Sequence, residues 1–340
     1  MGLRHDPNSQ SNVGQQRWVH QARINLFTLM SQPDPAILAA LPGPSSDYSI
    51  PSSLHSVASF GTATTINKSG VPTYFLKCAR SKNLIEGEYN ALNLISRTVP
   101  GFCPDPVAAG QFSDGSRYFV VASLLKDLRS GSGRTWERKL AEKLAKLHTD
   151  ATSHMYGLPG GQVTCCGATE MPNPPTKTWS EFYGMHRLQF ILDENTRVNG
   201  RDVELDRLGR TVVERVVPRL LGSIKSSPSL VHGDLWAGNA GAINDPETGE
   251  TIPVVYDACA FYADSEYELG IMRMFGGFTS GGFYQRYHEL VPEKEPKAEY
   301  DDRIRLYRLF HELNHAALFG GGWYLDAAKS SMRTLIRKYG

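Results

Sequence analysis

The nine residues Val231–Asn239, VHGDLWAGN, constrain this chain more than any other stretch of it. An apolar run, Leu230-Val231, ends at His232-Gly233-Asp234, and Asn239 follows five residues after the aspartate. One short loop then carries a carboxylate able to accept a hydroxyl proton and an amide oxygen able to hold a hard cation. Eighteen residues beyond Asn239, Asp257 ends a second apolar run, Val254-Val255-Tyr256. Asn244-Asp245-Pro246 is a turn signal, so Ala240–Ile243 and Ile252–Tyr256 read as a hairpin that returns the chain beside its start. Each residue alone is an ordinary strand-end or turn residue. The ordered set His232, Asp234, Asn239 and Asp257 points instead to phosphoryl transfer, which needs a proton acceptor and oxygen ligands for Mg2+.

The same Asp-to-Asn spacing occurs in the catalytic loop of protein kinases, and that chemistry calls for a lysine on the nucleotide phosphates. Lys77 lies inside the apolar strand Thr73–Ala79; an edge-strand lysine kept for solubility is the competing reading. Glu88 shares a helical stripe with Leu84, Ala91, Leu92 and Ile95 and so faces the sheet, where a buried carboxylate requires a partner. Pairing Lys77 with Glu88 satisfies both. Phe60-Gly61-Thr62-Ala63-Thr64-Thr65 is the expected phosphate-covering loop, with Gly61 and Thr62 as contacts, although it has one glycine where several are usual.

Around these residues the pattern changes once. A strand before the turn Asn67–Gly70, strand Thr73–Ala79, helix Leu84–Ser96 and a hairpin around Ser113–Ser116 make a strand-rich first part with one embedded helix. From Thr135 helical spacing takes over, in Trp136, Leu140, Leu144 and Leu147, then through Val212–Val217 with a kink or restart at Pro218, and from Asp301 and after Asp326. A single hairpin interrupts these helices. The expected organisation is α+β and two-lobed, with a flexible extension 1–33, a first lobe 34–123 and a second lobe 124–340. The Pro/Ser-rich stretch Leu41–Ser53 reads as a linker.

Lys+Arg 36 against Asp+Glu 35 leaves a net charge of +1, so nothing calls for nucleic acid or an acidic membrane as partner. Five cysteines without CxxC spacing fit reduced thiols in the cytoplasm, and they are assigned no chemistry. A mitochondrial address is the alternative if residues 1–33 form a transit peptide. One rival belongs to another reaction class: His311-Glu312-Leu313-Asn314-His315 matches HExxH, the zinc-hydrolase pattern, but no Glu follows Glu312 and no His follows His315 to complete it. A packed amphipathic helix is the preferred reading of that segment. A fold retained for binding without turnover is the other rival, and the presence of base, metal ligands and lysine argues against it.

HGDLWAGN resembles the HGDLWSGN of the fructosamine kinase and ketosamine-3-kinase family, with Ala237 in place of Ser. LKCARSKNLIEGEYNAL around Lys77 and Glu88, LAKLH ending at His148, WSEFYGMHRL from Trp179, YDACAFYADSEYELGIMRMFGGF from Tyr256 and LYRLFHELNHAALFG from Leu306 are similar to family segments as well. The resemblance runs from about Asp34 to the C-terminus, and it implies a protein-kinase-like fold shared with aminoglycoside and choline kinases. It further implies ATP and Mg2+ as cofactors and a ribulosamine or fructosamine, free or on a glycated protein, as substrate, with ribulosamine favoured. Phosphorylation of the sugar's third hydroxyl would yield an unstable ester and release the amine. Carried over by position, Asp234 is the base, Asn239 and Asp257 hold magnesium, and Lys77 with Glu88 orients phosphates. His232 is expected near the substrate, and Trp236 is either a sugar platform or a packing residue. A choline- or aminoglycoside-type kinase is the nearest alternative. Asp257-Ala258-Cys259 departs from the family's Asp-Pro-Ala, which leaves the ligand in place and puts the following turn in question.

Overall fold

A computed structural model describes residues 34–50, 56–58, 60–151, 153–245 and 247–340. The expected extension 1–33 lies outside them, as do the last residues of the expected linker and Pro246 of the hairpin turn. Asp34 caps helix α1 (Pro35–Ala40), its carboxylate accepting from the Ala36 amide at 2.9 Å, with proline at the first helical position where its missing N–H costs nothing. The described part of the expected linker is built into the sheet instead. Tyr48–Ser49 (β1) pairs with a strand of the first sheet, and Ile37, Leu41 and Tyr48 are buried with Ile66, Leu76, Phe119 and Val121. Three large apolar side chains within twelve residues outweigh the local Pro/Ser composition.

The first sheet continues with β2 (Ser56–Ala58), β3 (Gly61–Lys68), β4 (Val71–Ala79), β5 (Pro106–Gln111) and β6 (Tyr118–Ser123), in the order β1-β3-β4-β6-β5 with β2 against β3. Lys77 therefore stands on a central strand, opposite Ala63 of β3 and Val120 of β6, which removes the edge-strand reading. Period-two alternation sends Leu76 and Cys78 into the core on one side of β4 and leaves Phe75 and Lys77 on the other. Between β4 and β5, helix α2 (Lys82–Thr98) starts where Ser81 accepts from the Leu84 amide. Its stripe Leu84, Ile85, Glu88, Ala91, Leu92 and Ile95 is buried, which carries Glu88 inward.

The C-terminal part is mainly helical, as expected, but more than one hairpin interrupts it. After β7 (Arg129–Ser130) and α3 (Arg134–Asp150), a short hairpin of β8 (Thr164–Cys166) and β9 (Thr169–Met171) is present. Three-residue strands carry too little alternation to be read from sequence. Helices α4 (Trp179–Tyr183), α5 (Phe190–Asn199), α6 (Val203–Thr211) and α7 (Val217–Leu221) come next, and the kink expected at Pro218 is realised as a wide turn over Val212–Val216. There the Val217 amide reaches the Val212 carbonyl, five residues back, one residue before the proline that cannot donate.

β10 (Ser229–Val231), β11 (Ala240–Asn244), β12 (Thr251–Val255) and β13 (Phe261–Ala263) then build the site, and α8 (Ser265–Met272), α9 (Phe283–Leu290), α10 (Tyr300–Phe319) and α11 (Gly322–Tyr339) complete the helical core. Every residue of α8 is buried, so it runs through the interior of this core and not along its surface.

Candidate active site

Two antiparallel pairings deliver the loop of interest. Val231 ends β10 opposite Phe261 of β13, and Ala240 begins β11 opposite Val255 of β12, so the segment 232–239 is held at both ends. The Tyr256 amide donates to the Asn239 carbonyl at 3.1 Å and the Cys259 amide to the His232 carbonyl at 3.0 Å. Asp257 is thereby pinned between them, and it takes a left-handed backbone conformation, φ 55°. Such a conformation in a non-glycine residue costs about 1–3 kcal/mol and persists only where neighbouring contacts over-determine it. Replacement of the family's Asp-Pro-Ala by Asp257-Ala258-Cys259 leaves Ala258 and Cys259 buried in the turn.

Across the cleft, the Lys77 ammonium lies 2.6 Å from Glu88 and 3.0 Å from Asp257. Lys77 is 2% and Glu88 7% exposed. Burial opposes the charge on Lys77, but the carboxylates of Glu88 and Asp257 outweigh it and raise the pKa. The expected pair is therefore present, and it joins the first sheet to the Asp257 turn. Asn239 donates its amide to the Asp234 carbonyl at 2.8 Å and carboxylate at 3.2 Å, which leaves its side-chain oxygen as an acceptor. Asp234 itself is half-buried. Its desolvation, with the nearby Asp257 charge, pushes its pKa up to about 8.

A polar cavity of about 150 Å³ is lined by Lys77, Glu88, Asp234, Trp236, Asn239 and Asp257. A second, of about 320 Å³, is an apolar slot between β3, β6 and the segment Ser123–Leu125, walled by Ala63, Leu92, Val120, Ala122, Leu124 and Tyr256. Glu88 and Asp257 belong to both walls, so the two spaces meet at the ion pair. Sequence reasoning missed the slot entirely. Its walls are ordinary aliphatic side chains from separate elements, and the only sequence signal was the change of pattern near Ser123–Asp127.

Other expected residues fall differently. Gly61 and Thr62 begin β3 between Phe60 of the polar cavity and Ala63 of the slot, and neither lines either space. A side chain at Gly61 would meet the Cys78 carbonyl at 2.7 Å, so close strand packing accounts for that glycine. His232, expected near the substrate, is instead fully buried: Nε2 donates to the Tyr256 carbonyl at 3.0 Å and Nδ1 accepts the Asp234 amide at 3.3 Å. It sets the loop's shape and does not reach the cavity. Trp236 does line the cavity, edge-on to Phe275 at 5.7 Å.

A residue that sequence reasoning did not single out secures this loop. Glu268, on α8 and wholly buried, accepts from the His232 amide and from the Gly233 amide at 3.1 Å. Gly233 must be glycine: its φ is 88°, and an added Cβ would stand 2.8 Å from the Cys259 carbonyl oxygen. Cys165, Cys166, Asn314, His315 and Phe319 also line the polar cavity.

The HExxH reading does not survive. His315 donates Nδ1 to the His311 carbonyl at 2.9 Å and packs among Phe275, Phe319 and Tyr324, while Glu312 lies 2.7 Å from Arg308. These are residues of a packed helix whose periodicity happens to place two histidines four apart.

A family model described as fructosamine kinase matches residues 52–338. A "probable ketoamine kinase" of Synechocystis is 35% identical over 270 residues, covering 79% of this chain and 84% of that protein. The ketosamine-3-kinase of Mus musculus is 33% identical over 281 residues, covering 76% and 85%. The solved structure of an aminoglycoside phosphotransferase superposes with a TM-score of 0.56 at 16% identity, covering 86% of this chain and 94% of the other, which places the fold among the kinase-like folds. The matched span contains the lysine, the HGD loop and the Asp257 turn, and the chain belongs to the fructosamine kinase family of ATP-dependent phosphotransferases.

Proposed function

We propose that the protein is a ketosamine 3-kinase that transfers the terminal phosphoryl group of ATP to the third hydroxyl of a ribulosamine or fructosamine, with ribulosamine preferred. The observation that carries this reading is the convergence of Lys77, Asp234, Asn239 and Asp257 on one polar cavity that meets an apolar slot. The slot suits a flat, apolar nucleotide base, and the lysine end of it suits the phosphates. The lobes would divide at Ser123–Leu124, giving 34–123 and 124–340, with the base between them.

Asp234, in its ionised form, accepts the proton of the attacking sugar hydroxyl, and a cation held at the adjacent Asp257 would offset the negative charge that raises its pKa. Lys77, aimed by Glu88, holds phosphate oxygens in line with that hydroxyl. The Asn239 side-chain oxygen and the Asp257 carboxylate are hard donors that suit Mg2+, which when bound neutralises charge on the phosphates. Trp236 would lie under the sugar. The substrate's amine side, protein-bound or free, must then extend toward the cavity mouth. A phosphate ester at the third position makes the ketosamine unstable: inorganic phosphate is eliminated from the sugar, water then hydrolyses the link to nitrogen and the amine is released, so the outcome is deglycation. All five cysteines are free, in keeping with a reducing, cytoplasmic setting.

ATP consumption measured against ribulosamine, fructosamine, choline and an aminoglycoside tests the reading. Turnover on the ketosamines is expected, with loss of it in Asp234→Ala at unchanged unfolding midpoint. Turnover confined to choline or the antibiotic refutes the substrate, and near-normal turnover in Asp234→Ala refutes the base.

A further inference from the structure

Cys166 and His311 approach Asp234 from elements that phosphoryl transfer leaves without a task. Cys166 ends β8, and His311 sits midway along α10. The Cys166 sulfur, a carboxylate oxygen of Asp234 and a ring nitrogen of His311 all lie within 4.8 Å of one another. His311 is fully buried, yet among the described residues neither of its ring nitrogens has a hydrogen-bond partner. His232, equally buried, uses both of its own. Buried polar groups are nearly always paired, because a group taken out of water without a partner loses its hydrogen bonds uncompensated. Burial, with His315 and Arg187 nearby, holds His311 neutral, the form in which imidazole binds metal.

We propose that Cys166, Asp234 and His311 form a binding site for a thiophilic divalent cation of the zinc class, and that a cation bound there silences the enzyme by occupying the Asp234 carboxylate.

Sulfur, imidazole nitrogen and carboxylate oxygen are the donors zinc takes at about 2.3, 2.0 and 2.0–2.2 Å, which in a tetrahedron separates ligand atoms by about 3.3–3.5 Å. The present separations need to contract by no more than about 1.5 Å, which rotation of the Asp234 and Cys166 side chains can supply. Magnesium prefers oxygen and has little affinity for thiol or imidazole, so the Asn239–Asp257 pair and this cluster select different ions. The cavity that Cys166 and Asp234 line gives a cation its route in, and leaves room for water as the fourth ligand. On binding, the Cys166 S–H bond breaks and the sulfur bonds to the metal, and its proton, together with the one the Asp234 carboxyl carries when neutral, passes to solvent. Two anionic ligands then balance the 2+ charge, so the buried centre is neutral beside the Arg187 guanidinium.

The binding half stands without any view of the substrate; the inhibitory half rests on Asp234 as the base. Cobalt chloride is titrated into the nucleotide-free, full-length protein as a spectroscopic stand-in for zinc. A thiolate-to-cobalt charge-transfer band saturating at one equivalent is expected, lost in Cys166→Ala and weakened at least about tenfold in affinity in His311→Leu. Absence of the band in the unaltered protein, or its retention in Cys166→Ala, overturns the site, and neither result depends on how His311→Leu folds. Phosphate transfer with saturating MgATP is then followed against zinc chloride, each variant relative to its own zinc-free rate. Inhibition that a chelator reverses and that needs at least about tenfold more zinc in Cys166→Ala supports the proposal. Stoichiometric binding with undiminished turnover overturns the inhibitory half alone. An enzyme inactive on ketosamines but active on another alcohol, and still zinc-sensitive, would refute the substrate and leave this site standing.

Discussion

Glu268 offers the sharpest test of how this site is built. Replacing it with alanine removes the acceptor of two buried amides, those of His232 and Gly233. Hydrogen bonds to a charged group contribute about 1.5–3 kcal/mol each, so the loss is about 3–6 kcal/mol, a large part of the ~5–15 kcal/mol that stabilises a folded domain. Glu268→Gln keeps one acceptor oxygen and turns an NH2 toward the other amide, so about half of that loss is expected. Urea unfolding followed by tryptophan fluorescence measures it. The same change releases the backbone that aims Asp234, and a displacement of about 1 Å costs roughly a hundredfold in rate. Turnover in Glu268→Gln should therefore fall by about that factor under conditions where the variant is still folded. A variant within about 0.5 kcal/mol of the parent and with unchanged turnover would refute the clamp and leave His232 as the loop's organiser.

Lys77→Met should cut phosphate transfer about a hundred- to a thousandfold and leave Glu88 buried without its cation; unchanged ATP kinetics would remove Lys77 from the phosphate site. Gly233→Ala should destabilise by more than about 2 kcal/mol, since it adds both a left-handed alanine and a collision with the Cys259 carbonyl, and an unfolding midpoint equal to the parent's would contradict the geometry. Glu137 accepts from the amides of Ser280, Gly282 and Phe283, and although its burial alone would raise the pKa, these donors lower it. Its contribution is fully present above the unfolded carboxylate pKa of about 4.5 and is lost as pH falls through the lower folded value. Glu137→Gln should thus be less stable than the parent by about 2 kcal/mol at pH 7, and the gap should close in urea melts taken below about pH 4.

Local patterns carried much of this protein in its sequence. The helical stripe on which Glu88 lies turned a carboxylate toward the sheet, and with Lys77 inside an apolar strand that was sufficient to anticipate a buried ion pair, because side-chain direction follows from helix periodicity. The hairpin from Ala240 to Tyr256 was legible for the same reason, and with it the approach of Asp257 to Asn239. Tertiary packing decided the rest. Whether His232 faces substrate or core depends on which carbonyl its ring finds, and that carbonyl, of Tyr256, is 24 residues away. The apolar slot consists of side chains that any core would use, and it becomes a site only when β3, β6 and the Ser123–Leu125 segment enclose it. Glu268 is one glutamate in an ordinary helix until α8 threads beneath the loop. His311 was visible as half of a zinc motif, yet its position beside Cys166 and Asp234, residues 145 and 77 positions away, is fixed by the packing of α10 against the site and by no local pattern.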